Sequence, residues 1–529
     1  MMEYPNPISE RKPPEIPPVP QALPFPQPER KIRHLQPYDG TFAKLSLLLG
    51  FLFMRYVVAR ADGFLTTGCF LLLYLCGEIY IRKSGCRPKL PHHILGAVIC
   101  AFTLVFSLTA SALLHGLCFV FLLLALTWRI NAVCSGVPFV TRFFPFDLSE
   151  TVCAAPIRHM DAAPKAISAS AKKAESAAAV KTVLIGLLVT IPLTAIVAGL
   201  LASADSGIEK LLFRLIDLPT EHAASTAAQL LFGIPVGFWI FGMLYSAAQR
   251  RFYVSPMPED AVYEEKLAGA RMIPNLGLYA GITPICLLYL IYVISQTGYF
   301  LSAFTGKLPG DMIYSEYARR GFFELCAIAV INLFVILVLT GCAKQGGRER
   351  PKALTGYAAA LCLFTLFIIA TALAKMVLYI DTYGLTRLRL YTAWFMVLLA
   401  VSFLVLLVRQ FTRRIPTAKI LTASFILLFG MLCFSRPDAR IAEYNITRYE
   451  QGTLSDLDAH MLCQLSEDAY VVMLRHLDAF DTAGTKEYVY SRALALEKSY
   501  EDSPDRKQNL SAQLLIQFRH AAAIGDVML

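Results

Sequence analysis

The chain has 529 residues, of which 56% are hydrophobic and only 17% charged. With a mean hydropathy of +0.53, this excludes an ordinary soluble enzyme and indicates an integral membrane protein. The formal net charge of +10 does not signal nucleic acid, because the lysines and arginines gather in short segments beside apolar runs, where they set orientation. Thirteen cysteines lie mostly within apolar runs, as at Cys69, Cys118, Cys326 and Cys362, and form no CxxC pair. They read as small buried hydrophobes, not as a zinc or redox site.

Residues 1–40 are rich in proline ("RKPPEIPPVPQALPFPQPERK") and contain no signal-peptide core, so a disordered cytoplasmic tail is expected. A transmembrane domain then fills 41–435. About eleven segments are long and apolar enough to cross a ~30 Å hydrocarbon core: 42–59, 63–81, 94–110, 112–132, 180–203, 228–247, 275–297, 321–342, 355–379, 388–408 and 417–434. Basic residues before the first span, after the second, before the fifth and after the sixth all fall on one side if the N-terminus is cytoplasmic. An odd number of spans then leaves the C-terminal segment outside.

Two connecting stretches carry their own signals. "NAVCSGVPFVTRFFPFDLSETV" (131–152) is apolar but broken by Pro138 and Pro145, which predicts an interfacial or re-entrant segment. The alanine-rich 163–181 predicts a helix whose lysines meet anionic headgroups. Within the spans, Gly233 with Gly237 and Gly277 with Gly281 offer small-residue faces for close packing, Asn332 is placed for interhelical hydrogen bonding, and Glu78 can pair with Arg82. Residues 436–529 are charged and predict a small domain of four or five helices, with Ser466 as one helix cap and Thr453 with Asp456, or Ser455 with Asp458, as alternative caps for the helix before it. The fold class is therefore all-α, a polytopic membrane helix bundle with a C-terminal helical soluble domain.

Three motifs carry a resemblance: "YARRGFFELCAIAVINL" (317–333), "YGLTRLRLYTAWFMVLL" (383–399) and "RPDARIAEYNITRYEQGTLSDLDAHMLCQLSEDA" (436–469). Together they resemble the bacterial membrane family catalogued as domain of unknown function 4173, with its relative 4153. The resemblance implies a multi-pass protein of the bacterial cell membrane and brings no substrate, cofactor or catalytic residue with it.

Glu316, Arg319, Arg320 and Glu324 share a helix entry with i,i+3 and i,i+4 spacing. On the expected topology they lie outside, level with Lys375, Asp381, Arg387 and Arg389. These eight residues form a candidate polar vestibule, in which arginines would clamp an anionic lipid headgroup or small anionic solute. The alternative is that each charge snorkels to the interface beside its own span. No nucleotide-binding loop, HExxH or GxSxG occurs, and His460 with Cys463 and Asp456 makes only a weak metal pattern. No cofactor is implied. Besides the lipid bilayer, an anionic lipid or solute is the expected partner. Transport or signalling across the membrane is the leading reading. The alternatives are an envelope transferase or a scaffold or sensor acting through the C-terminal domain.

Overall fold

The computed structural model describes residues 34–59, 63–135, 140, 144–170, 197, 221–250, 271, 273–295, 322–343, 351–412, 415–480, 483–502 and 509–517. Among these, every regular element is a helix. The spans are α1 (Pro37–Phe53, prolonged by a π turn at Met54–Val58), α2 (Gly63–Lys83), α3 (Leu90–Thr103) with the short α4 (Val105–Leu108), and α5 (Ala112–Ser135). A run of short helical pieces follows: α6 (Phe144–Ser149), a π turn (Glu150–Ala154), α7 (Ala155–Arg158) and α8 (Ala162–Ser170). Next come α9 (Glu221–Arg250), α10 (Asn275–Ser295), α11 (Phe322–Gly341), α12 (Lys352–Tyr383), α13 (Arg387–Phe411) and α14 (Thr417–Phe434). The C-terminal domain holds α15 (Pro437–Glu450), α16 (Ala459–Leu462), α17 (Glu467–Arg475), α18 (Ala483–Asp502) and α19 (510–517).

Nine described helices are long and apolar enough to cross a membrane, and α11 adds a shorter apolar stretch from Ala327 to Gly341. Ten of the eleven expected spans thus coincide with helices, and the eleventh, 180–203, lies outside the described residues apart from Val197. Helix α1 starts at Pro37, a turn earlier than expected. There Asp39 accepts the Gln36 backbone N–H at 2.8 Å and the Tyr80 hydroxyl at 2.9 Å, which satisfies an exposed helix start.

The spans pack as two groups. In the first, α1 crosses α9 at glycines: a Cβ on Gly50 would lie 2.3 Å from the Gly233 carbonyl, and one on Gly237 would lie 2.8 Å from the Leu47 Cα. Only hydrogen side chains permit this backbone approach. The second glycine pair behaves differently, since among the described residues nothing lies within 4 Å of a Cβ at Gly277 or Gly281. Helix α8 buries Ala162, Ala163 and Ala166 and packs on α1 and α9, while its lysine, Lys165, stays exposed. The remaining lysines of that stretch, Lys172, Lys173 and Lys181, lie outside the described residues.

In the second group, α10, α11 and α12 are tied by Asn332. It accepts from the Tyr289 hydroxyl at 2.8 Å and donates to Thr365 at 2.9 Å, the interhelical bonding expected of a lone amide in a span. Helix α14 returns to the first group, where Phe429 stacks on Phe102 at 5.4 Å. Trp394 on α13 donates to the Leu428 carbonyl of α14 at 2.9 Å. The C-terminal helices enclose their own apolar core, including Ile441, Ile446, Leu462, Met473, Val489 and Leu515.

Candidate functional site

The C-terminal domain meets the spans through two carboxylates that are wholly inaccessible to water, Asp438 and Asp468. Each stands in the first turn of its helix, α15 and α17, where the macrodipole favours an anion. Asp438 receives a bidentate Arg387, with Nε at 2.9 Å and Nη2 at 2.6 Å, and also the backbone N–H of Ser466 at 3.0 Å. Asp468 receives Arg436 through Nε at 3.1 Å and Nη2 at 2.8 Å. Its other partners are the hydroxyls of Thr109 and Ser511 and the Ala110 backbone N–H, the last at 3.1 Å.

Thr109 and Ala110 form the turn between α4 and α5, so Asp468 bolts the domain onto the first group of spans. Arg387 opens α13, so Asp438 bolts it onto the second. Asn509 secures the same turn by donating to the carbonyls of Phe106 at 3.2 Å and Thr109 at 2.7 Å. His115 contacts the Thr109 carbonyl at 2.8 Å. A parallel clasp holds the α12–α13 turn: the Asn445 amide donates to the Leu385 carbonyl and accepts its N–H, both at 2.7 Å. Gly384 makes this possible, with φ of +76° and space for no side chain, since a Cβ would stand 2.6 Å from the Asn445 carbonyl oxygen.

Of the candidate vestibule, Arg387 is therefore engaged by Asp438. Arg389 donates to the Tyr383 carbonyl at 2.9 Å and to that of Gly384, and lies 3.9 Å from the centre of the Tyr379 ring. Asp381 accepts from Arg448 at 3.2 Å, and Lys375 is a half-buried residue of α12. Glu316, Arg319 and Arg320 lie outside the described residues, as does the side chain of Glu324. Ser466 precedes α17 as expected, yet its hydroxyl reaches Asp468 at 3.5 Å and makes no capping bond; α16 is capped neither by Thr453 nor by Ser455 but by Asp458 itself, which accepts the Met461 N–H at 2.8 Å. His460 stacks on Tyr488 and bonds Gln464, while Cys463 is buried.

A second ionic centre lies at the opposite end of the first group. Tyr38 at the start of α1 contacts Ser84 beyond the end of α2, whereas Thr67 near the start of α2 donates to Thr103 and contacts Ser107. The C-terminal domain and the start of α1 are thus at opposite ends. At the α1 end, Glu78 pairs with Arg82 at 3.0 Å, as its spacing suggests, but also with Arg129 at 2.6 Å. Arg129 is 1% exposed, donates to the His92 carbonyl at 3.0 Å and lies 4.8 Å from the centre of the Tyr74 ring. Gly96 leaves it room, because a Cβ there would stand 2.4 Å from the Tyr74 hydroxyl.

The sequence motifs include Arg387, Asp438 and Asp468, but only Arg387 stood among the candidate site residues, and Arg129 lies in none of the motifs. A charged residue late in an apolar run was the only available signal for Arg129. The two aspartates look like ordinary first-turn acids until the fold buries them.

No curated protein and no solved structure matches the chain. The model of the family described as "Domain of unknown function (DUF4153)" matches residues 96–476. That range runs from α3 to the end of α17, and so takes in both aspartates, both of their arginines and the α4–α5 turn. The match is to the relative of the family that the motifs first suggested, and the chain belongs to the family of domain of unknown function 4153.

Proposed function

We propose that the protein is a transmembrane signalling or sensor protein, in which the C-terminal helical domain governs the arrangement of the spans. The observation that carries this reading is the pair of buried carboxylates, each clamped by an arginine, at the contact between that domain and both groups of helices. Replacing a buried ion pair by apolar residues of similar volume is often neutral or stabilising, so simple adhesion would be met as well by an apolar seam. Charges at such a seam favour one register and can be released by water or by a competing ligand.

Helix α5 supplies a route for coupling. It begins beside the Asp468 clamp and carries Arg129 18 residues beyond Ser111, roughly 27 Å along a helix. On the expected topology the domain is outside and the α1 end is cytoplasmic, in the membrane of a bacterial cell. Transport is the second reading for the same architecture. The described arginines of the candidate vestibule already hold partners within the chain, which favours signalling.

The test reads one end while disturbing the other. Cys153 is exposed on the π turn after α6, and its neighbour Thr151 accepts from Asn131 of α5 at 2.8 Å. Asp468→Ala and Asp438→Ala release the domain. Coupling predicts a several-fold change in the rate at which maleimide labels Cys153, with Cys153→Ser defining the background. Unchanged rates in both variants would refute the proposal.

A further inference from the structure

Between α1, α2, α5 and α9 lies a cavity of about 360 Å³. Its lining includes Phe53, Phe70, Leu123, Val236 and Trp239, and Met160 closes the end nearest the run of short helical pieces. The lining holds a single aliphatic hydroxyl, that of Thr127, which donates to the Leu123 carbonyl at 2.7 Å. A water molecule entering here would find no partner, and apolar cavities of this kind stay dry. Protein interiors leave few voids larger than a water molecule, so a space this size calls for an occupant.

We infer that the slot holds one acyl chain of a membrane phospholipid. The dimensions select that occupant. On α5 the lining runs from Phe119 to Thr127, eight residues or about 12 Å of helix. Spread over that length, the space open to the centre of a water molecule is roughly 30 Å² in section, and adding a water radius all round gives about 60 Å², below the ~80 Å² that a helix with its side chains needs. The slot is therefore narrower than another span and admits a hydrocarbon chain.

Its position agrees. Apart from Met160, the lining belongs to membrane-spanning helices. Val120 on α5 and Phe232 on α9, each one turn from a lining residue, are about half exposed. The slot thus lies within one turn of exposed apolar surface on two of its helices. Near its Met160 end stand Arg158 and Lys165, exposed although paired with Glu150 and Asp161, where a phospholipid headgroup would lie.

The chain has three tryptophans, and Trp239 lines the slot. Full-length protein carrying Trp128→Phe and Trp394→Phe is reconstituted into phosphatidylcholine vesicles whose acyl chains are brominated. The bound chain predicts strong quenching of Trp239, and Val236→Phe or Leu123→Phe, which fill the slot, should each reduce that quenching several-fold. No quenching in the unfilled protein would mean that protein covers the slot, the apolar stretch 182–203 being the obvious candidate, and would overturn the inference. Quenching that survives both fillings would mean contact with bulk lipid alone, with the same consequence. One measurement needs no filling variant: wild-type protein in detergent should retain phospholipid in stoichiometric amount after extensive washing, and its absence would also overturn the inference.

Discussion

Asp468→Ala should detach the C-terminal domain from the α4–α5 turn. The substitution removes the acceptor for two N–H groups of Arg436, the backbone N–H of Ala110 and the hydroxyls of Thr109 and Ser511. Breaking a buried pair on one side costs ~3–5 kcal/mol. The Arg436 side chain is 32% exposed, so water recovers part of its solvation and the charge contribution falls to roughly 2–3 kcal/mol. The stranded Ala110 N–H adds about 1 kcal/mol or more. The expected loss is therefore on the order of 3–4 kcal/mol, shared between the Arg436 pair inside the domain and the bonds from Thr109 and Ala110 that cross to the spans. Thermal unfolding in detergent, followed by intrinsic fluorescence, should show a clear drop in midpoint. Limited proteolysis should release a fragment beginning near Arg436. Asp468→Asn keeps the shape and some acceptor capacity, so it should fall between wild type and alanine. Arg440 and Glu443 form an exposed pair at 2.9 Å, and removing it should cost under ~1 kcal/mol. If Asp468→Ala is no more harmful than Glu443→Ala, the clamp does not hold the domain.

Gly50→Ala should destabilise the α1–α9 crossing by roughly 1–3 kcal/mol or more, because the new methyl meets backbone that cannot retreat; Gly277→Ala and Gly281→Ala should be silent in the same melting assay. Asn445→Ala should cost ~1–3 kcal/mol through the unpaired N–H and carbonyl of Leu385, and faster hydrogen exchange confined to residues 383–387 would report it. Burial pushes the Cys463 thiol upward, so the thiol stays protonated and unreactive at neutral pH; maleimide should leave it unmodified until the domain is denatured. On the proposed topology, an impermeant maleimide should label Cys153 in inverted vesicles and not in intact cells, and the reverse pattern would invert the orientation.

What was legible in the sequence followed periodicity and length. Ten spans coincide with helices because ~20 apolar residues in a row have few other fates. Asn332 and the Gly233–Gly237 face were legible for a similar reason, since a lone amide or a small-residue pair within a span has few uses besides packing. Gly277 and Gly281 show the limit of that rule: with identical spacing they meet no other described residue on α10, and no local signal separates the two pairs. Arg387 stood out because an arginine on an expected outer loop departs from the orientation rule. Its partner did not, because Asp438 lies 51 residues away and its burial depends on how the C-terminal domain folds back. Arg129 was missed for the same cause, as Glu78 reaches it only when α2 and α5 pack side by side.

The placement of these charges bears on how the molecule can move. Asp438 and Asp468 are joined through Ser466, whose N–H serves the first and whose hydroxyl approaches the second. Loss of either clamp therefore disturbs the start of α17 and loosens the other. The two groups of spans share this one stretch of the C-terminal domain, with Arg387 from α13 on one side and Thr109 from the α4–α5 turn on the other. A partner that pulls at α17 would act on both groups at once. This predicts non-additivity: Asp438→Ala and Asp468→Ala together should cost less than the two separate losses combined, since each single change already weakens the other clamp. Strict additivity in detergent melting would mean two independent anchors, and the domain would then be a tether and not a shared control point.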